Sequence, residues 1–141
     1  MRIALVEGAS QSRVVDRFAA KEWKLFNKER NYEWKEVKRT IAAYEGRKVV
    51  GFASFKIVGG AAYLSQLIVS KNARRRQIGS KLLRRFEQYA KRRKCHVAYL
   101  ETSEWHSEAL RFYKSHDYRM IAKLGNNKFH LTWYFLSKTL T

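Results

Sequence analysis

The sequence predicts a mixed α/β fold in one domain spanning residues 1–141, on three observations. Apolar residues alternate in short runs such as TIAAYE, KVVGFASFKIV and AAYLSQLIV, the two-residue period of strands. Ile78, Leu82, Leu83, Phe86 and Ala90 recur instead at the spacing of a helix that packs on one side. These two periods interleave along the chain, and no proline, low-complexity linker or internal repeat divides its 141 residues. A chain of that length buries roughly two-thirds of its unfolded surface, enough for one core.

Taken in order, RIALVEG alternates and predicts a first strand. Ser10 or Ser12 then offers an N-cap for a helix whose apolar side is Val14, Val15, Phe18, Ala19 and Trp23. A second, shorter helix is expected to include Trp34 and Val37. Strands TIAAYE and KVVGFASFKIV flank a turn at Glu45-Gly46-Arg47, and Gly59-Gly60 supplies a two-residue hairpin turn before AAYLSQLIV. The helix beginning at Ile78 turns Lys81, Arg84, Arg85, Gln88 and Arg92 outward. HVAYLET reads as a strand, and Glu108 to Ser115 as a helix burying Ala109, Phe112 and Tyr113. YRMIAKL, the turn Gly125-Asn126-Asn127 and KFHLTWYFLSK close the chain as a hairpin.

Composition removes several classes. With 45% hydrophobic and 14% aromatic residues the chain is not disordered, despite its charge. No apolar run approaches the ~20 residues of a membrane span, so no membrane partner is expected. MRIALVEGAS turns polar too soon for a secretory signal. The single cysteine, Cys95, forms no internal disulfide framework and fits a reducing cytoplasm. The four histidines lack HxxxH or HExxH spacing, so no metal is expected.

The net charge of +18 is the anomaly, and residues 71–94 hold eleven Lys and Arg against one acid, Glu87. Such a field attracts nucleic acid, phosphorylated cofactors, acidic membranes or acidic proteins, and a solvated basic surface without a specific partner reads the same way. The local pattern is more specific. In IVSKNARRRQIGSKLL an expected strand runs through a short loop into a helix start, where amides without intrahelical acceptors and the helix dipole favour an anion. Gly79 removes a side chain where backbone would approach the anion, and Arg74, Arg75 and Arg76 stand beside it. There is neither GK[ST] nor GxGxxG, so nucleotide P-loops and dinucleotide sites do not fit.

The order of elements and this segment resemble the GNAT acyltransferase superfamily. Its cofactor motif, Arg/Gln-x-x-Gly-x-Gly/Ala, falls on Arg74-Arg75-Arg76-Gln77-Ile78-Gly79, with Gln77 standing in place of the first glycine. A second likeness lies in HSEALRFY and its sequel, where Ala109, Tyr113 and Tyr118 match the family's Asn-x-x-Ala-x-x-x-Tyr and following aromatic. His106 replaces the usual Asn and Asp117 the usual Gly, a residue that tolerates a left-handed backbone. The resemblance implies a mostly antiparallel, splayed sheet flanked by about four helices. It implies acetyl-CoA held with its pyrophosphate on the loop Arg74 to Ser80, its pantetheine arm against Leu67, Ile68 and Val69, and a contact from His106. The basic helix face beyond the loop would lie partly near the adenosine 3′-phosphate and partly in solvent.

By the same resemblance Tyr113 sits near the cofactor sulfur as general acid for direct acetyl transfer to an acceptor amine; read by its periodicity alone it is a core aromatic. A phenol of pKa ~10 suits a leaving thiolate whose thiol titrates near ~8.5. No base is assigned: the strand Tyr63-Leu64-Ser65-Gln66 lacks the carboxylate that many relatives carry, and Glu101, Glu104 and His106 are surface or capping residues otherwise. Trp23, Phe26, Tyr32 and Trp34 either line the acceptor site or belong to the core. Relatives commonly form homodimers. The rival expectation is a non-catalytic module of the same fold that binds nucleic acid or an acidic partner.

Overall fold

A computed structural model describes residues 1–74 and 77–141, so Arg75 and Arg76 of the expected cradle lie outside the described residues. Two compact units are distinguished, Met1–Trp34 and Lys35–Thr141.

The first unit is built on α1 (Gly8–Arg30). Residues 1–7 form no strand, contrary to the alternation of RIALVEG. Backbone in a strand needs a ladder partner for its N–H and C=O groups, and none pairs with this segment among the described residues. The helix starts two residues before the first expected cap because Gln11 Oε1 accepts the Glu7 N–H at 2.8 Å. It ends because Asn31 turns left-handed (φ 55°), with the Tyr32 N–H reaching back to the Asn27 carbonyl at 3.3 Å. No residue of α1 is buried. Trp23, Phe26, Tyr32 and Trp34 are therefore not core; Trp23, Tyr32 and Trp34 line a hollow of about 820 Å³.

The second unit carries β1 (Val37–Glu45), β2 (Lys48–Val58), β3 (Ala61–Val69), α2 (Ile78–Arg92), β4 (Val97–Ser103), α3 (Ser107–Ser115), β5 (Arg119–Leu124) and β6 (Trp133–Thr139). The sheet order is β1-β2-β3-β4-β6-β5, antiparallel throughout except for the β3–β4 pair. This is the expected mixed α/β architecture, with three α-helices described rather than about four. Val37 opens β1, paired with Ile57, instead of closing a second helix. Residues 128–130 form a 3-10 turn, so the last strand begins at Trp133 rather than Lys128.

Alternation along β2 buries Ala53, Phe55 and Ile57 on one face. The helical stripe Leu82, Leu83, Phe86 and Ala90 packs onto that face, with the Phe55 and Phe86 rings 4.9 Å apart. Gly59 and Gly60, both at positive φ, make the hairpin turn between β2 and β3. A Cβ on Gly60 would come within 2.8 Å of His96 Nδ1, so that corner has no room for a side chain.

The feature that positions the site is a split in the sheet. β3 pairs with β4 only at Ala61, Ala62 and Tyr63. Just beyond, the β2–β3 register shifts between Ser54 and Phe55, with Ser54 opposite Gln66 and Phe55 opposite Leu64. Ser65 is the extra residue; its hydroxyl donates to the Ser54 carbonyl at 2.8 Å. A bulge bends its strand and sharpens the twist, and from here Gln66–Val69 part from β4.

Candidate active site

The opening left by the split is a cleft of about 630 Å³. One wall is the end of β3, with Leu67, Ile68 and Val69; the other is α3 and the turn before it, with His106, Ala109, Phe112 and Tyr113. Arg74 and Gly79, from the β3–α2 loop and the first turn of α2, line it as well. An adjoining hollow of about 320 Å³ is lined by Gln77, Ile78, Gly79 and Ser80 with Val69, Arg74 and Phe112. Every described residue of the expected cofactor set therefore borders one of two neighbouring cavities, and Val69, Arg74 and Gly79 border both.

At the cradle the backbone is unusual. Gln77, the N-cap of α2, lies in the left-handed region (φ 59°, ψ 22°), and its side chain caps nothing. No acid stands in the first turn of α2, so the amides of Ile78, Gly79 and Ser80 meet neither a capping side chain nor a carboxylate from that turn. The helix end is left positive and open to an anion. Arg74 folds back, its Nε donating to the Val69 carbonyl at 3.4 Å. Gly79 has an ordinary helical backbone, and a Cβ there would meet Phe112 Cζ at 3.5 Å, a normal contact. Glycine is thus not demanded by the fold at that position.

On the facing wall, His106 is the N-cap of α3 and its Nδ1 is hydrogen-bonded to the buried Ser103 hydroxyl at 2.9 Å. Tyr113 is buried between the rings of Phe112 and Tyr118, at 5.2 and 5.8 Å. Desolvation pushes its phenol up to about 12. Its hydroxyl has no hydrogen-bond partner among the described residues. Asp117 does take the left-handed conformation expected of it (φ 69°), which releases the chain from α3 and buries Tyr118.

The carboxylates considered as bases are engaged elsewhere. Glu101 accepts from the Tyr63 hydroxyl and from Lys128 Nζ, each at 3.1 Å, on the sheet face opposite α2. Proximity of this carboxylate, after desolvation, raises the Tyr63 phenol to about 12. Glu104 accepts the Thr132 N–H at 2.7 Å, a structural role.

Sequence reasoning missed three contributors. Trp105 stands largely exposed on the lip of the cleft, and Phe112 lies between the two cavities rather than wholly in the core. The third is His116. Its Nδ1 donates to the Phe112 carbonyl at 2.8 Å, and its Nε2 is hydrogen-bonded to the Ser80 hydroxyl at 3.0 Å. This bond ties the first turn of α2 to the end of α3, and no spacing in the sequence announces a contact across 36 residues.

With this geometry, comparison with known proteins is decisive for the class. The profile of the Acetyltransferase (GNAT) family matches residues 9–118. The chain belongs to the GNAT acetyltransferase family, whose members are enzymes that carry out acyl-CoA-dependent N-acetylation. Among solved structures it is similar to a provisionally assigned acetyltransferase from Agrobacterium tumefaciens (25% identity, 99% of each chain covered, TM-score 0.77). An acetyltransferase from Bacillus cereus ATCC 14579 shares the fold at 18% identity, with 98% of each chain covered and a TM-score of 0.77. So does an aminoglycoside 6′-N-acetyltransferase complexed with coenzyme A, at 20% identity over 74% of this chain and 73% of that one, TM-score 0.67.

Proposed function

We propose that residues 1–141 form one acetyltransferase domain that takes acetyl-CoA in the cleft between β3 and β4 and transfers its acetyl group directly to an acceptor amine. The observation that carries this reading is the convergence, on one split in the sheet, of a strand end unpaired toward β4, an uncapped cationic helix start and a tyrosine whose ring is buried but which lines the cleft. The residues fit the group. The end of β3 offers backbone to an extended pantetheine arm as an added strand would. Ile78, Gly79 and Ser80 offer amides, and Arg74 a guanidinium, to the pyrophosphate. His106 lines the same cleft, held by Ser103. A phosphate-bearing ligand also accounts for part of the charge in residues 71–94. The lone Cys95 has no second cysteine in the chain to pair with, which fits a cytoplasmic protein.

Acetyl-CoA supplies an acetyl thioester. Attack by the amine nitrogen on its carbonyl carbon forms the amide bond and breaks the C–S bond, and the departing sulfur needs a hydrogen-bond donor. Tyr113 is the general acid. With its phenol raised to about 12, it is fully protonated across the neutral range. A thiol near ~8.5 is the stronger acid of the two, so the hydrogen bond donated to sulfur as charge develops there supplies most of the stabilisation. Glu101 and Glu104 are engaged elsewhere, no base is assigned, and the amine proton passes to solvent.

The test is calorimetric titration of acetyl-CoA into the wild-type protein and the Gly79→Glu variant, followed by thiol-release assays against a panel of amines. Saturable micromolar binding abolished by Gly79→Glu is expected, since a carboxylate would enter the anion's place. Tyr113→Phe should keep acetyl-CoA affinity within about threefold while turnover falls about 10²–10⁴-fold, the usual range for such a donor. Absence of saturable binding by the wild type would overturn the site; unchanged turnover in Tyr113→Phe would overturn the acid.

A further inference from the structure

The solvent face of α2 is a cationic stripe. Lys81, Arg84, Arg85, Gln88, Lys91 and Arg92 recur every three or four residues and are all exposed. From Lys81 to Arg92 they run over 12 residues, 11 steps and about 16 Å of helix at 1.5 Å per residue. No acid interrupts them: the helix's one carboxylate, Glu87, is buried and accepts from Tyr118 and Lys138. Among the described residues none of the five cations makes an ion pair. Lys81 even has like charges at both i+3 and i+4, an arrangement that weakens an isolated helix where one glutamate would strengthen it.

We propose that this face is a docking surface for the phosphodiester backbone of a nucleic acid duplex, separate from the acetyl-CoA cleft. The absence of apolar groups from the stripe chooses among polyanions. A helix that binds a membrane surface needs an apolar side to enter the lipid, and that side of α2 is already spent on the core. A protein partner would ordinarily bury an aromatic or aliphatic centre; Lys81 and Arg85 border a hollow with Ile41 and Tyr44, but the stripe from Gln88 to Arg92 borders none among the cavities described. Phosphate backbone requires only donors and charge at intervals, with arginine favoured for its forked geometry. The contact is therefore independent of base sequence. It would hold the enzyme near acceptors that are themselves bound to nucleic acid.

Lys91 and Arg92 lie 12 and 13 residues beyond Gly79, roughly 18–20 Å along the axis. They are the positions at which to separate this surface from the cleft. Fluorescence anisotropy would follow binding of a 20-base-pair DNA duplex, and of the matching RNA duplex, between 50 and 200 mM salt. Five phosphate contacts predict a log–log slope near −4 to −5 on DNA, a loss of several hundred-fold over that range. Lys91→Gln/Arg92→Gln should reduce the slope by about two while leaving acetyl-CoA titration unchanged. Binding to both duplexes, or to only one, supports the surface and identifies which nucleic acid it takes. Equal binding to polyglutamate or to phosphatidylserine vesicles would overturn it. α1 carries its own exposed cations, so a slope that falls with Arg17→Gln/Lys21→Gln and not with the α2 pair would overturn the assignment to α2. If acetyl-CoA fails to bind the wild type while duplex binding behaves as described, the cleft reading falls and this one stands.

Discussion

Gln77 holds a left-handed backbone at the entrance to α2, where the family pattern places a glycine. For a residue with a Cβ that conformation costs ~1–2 kcal/mol, and glycine adopts it freely. Part of that gain is returned because glycine loses more freedom on folding. Gln77→Gly should therefore raise stability by about 0.5–1 kcal/mol, read as a higher urea midpoint at unchanged slope. An unchanged or lowered midpoint would mean that the Gln77 side chain contributes contacts that offset its strain. The position of this residue in the motif was legible from the sequence, but its consequence was not. The conformation shows that the backbone turn is made with glutamine in that place, and Gln77 lines a cavity. Asp117 is the parallel case that could be read in advance, because aspartate is among the few residues that visit this region locally.

Between elements, α2 and α3 are joined by a side-chain bond between Ser80 and His116, beside the hollow that Gly79 and Phe112 both line. Ser80→Ala should cost about 0.5–1.5 kcal/mol, the usual net worth of such a bond. The same variant should weaken acetyl-CoA binding, because the two helices set the width of the cleft. A double-mutant cycle with His116→Ala would measure the coupling; additive losses would show that the bond holds nothing together. Elements with strong periodicity were legible: the buried stripe of α2, the alternation of β2 and the glycine turn before β3 all appear where the residues predict them. The failures share a cause, pairing that local pattern does not show. RIALVEG has a strand's pattern without a neighbour to pair with, and the second helix expected to include Trp34 and Val37 gives way to a strand because Val37 finds Ile57 as its partner. The joint between Ser80 and His116 was illegible because it is made by folding, not by local spacing.

Across the whole molecule, the buried carboxylate of Glu87 gathers three elements. It accepts from the Tyr118 hydroxyl ahead of β5 and from Lys138 Nζ on β6, all at 3.1 Å, beneath α2. Lys138→Met would leave that carboxylate with a single donor. The loss should be roughly 2–3 kcal/mol, below the 3–5 of a fully buried pair because the lysine keeps some exposure to water. Chemical denaturation would check it, and a shift under 0.5 kcal/mol would mean that water replaces the lysine. The class of the protein was legible because two imperfect motifs stood in the right order within a strand–helix frame; the acceptor was not, since no residue pattern names it.

The sparse seam between β3 and β4 has a consequence for synthesis. The wing before it, β1 to β3 with α2, is closed by adjacent hairpins and a helix that returns directly onto them, so its contacts are local in sequence. Local contacts form fast, and the ribosome delivers them first. By the time β4 emerges, the earlier wing can already be folded, offering three residues of exposed edge as a template. The gap that admits a ligand in the finished protein is thus also the boundary between what folds first and what docks afterwards.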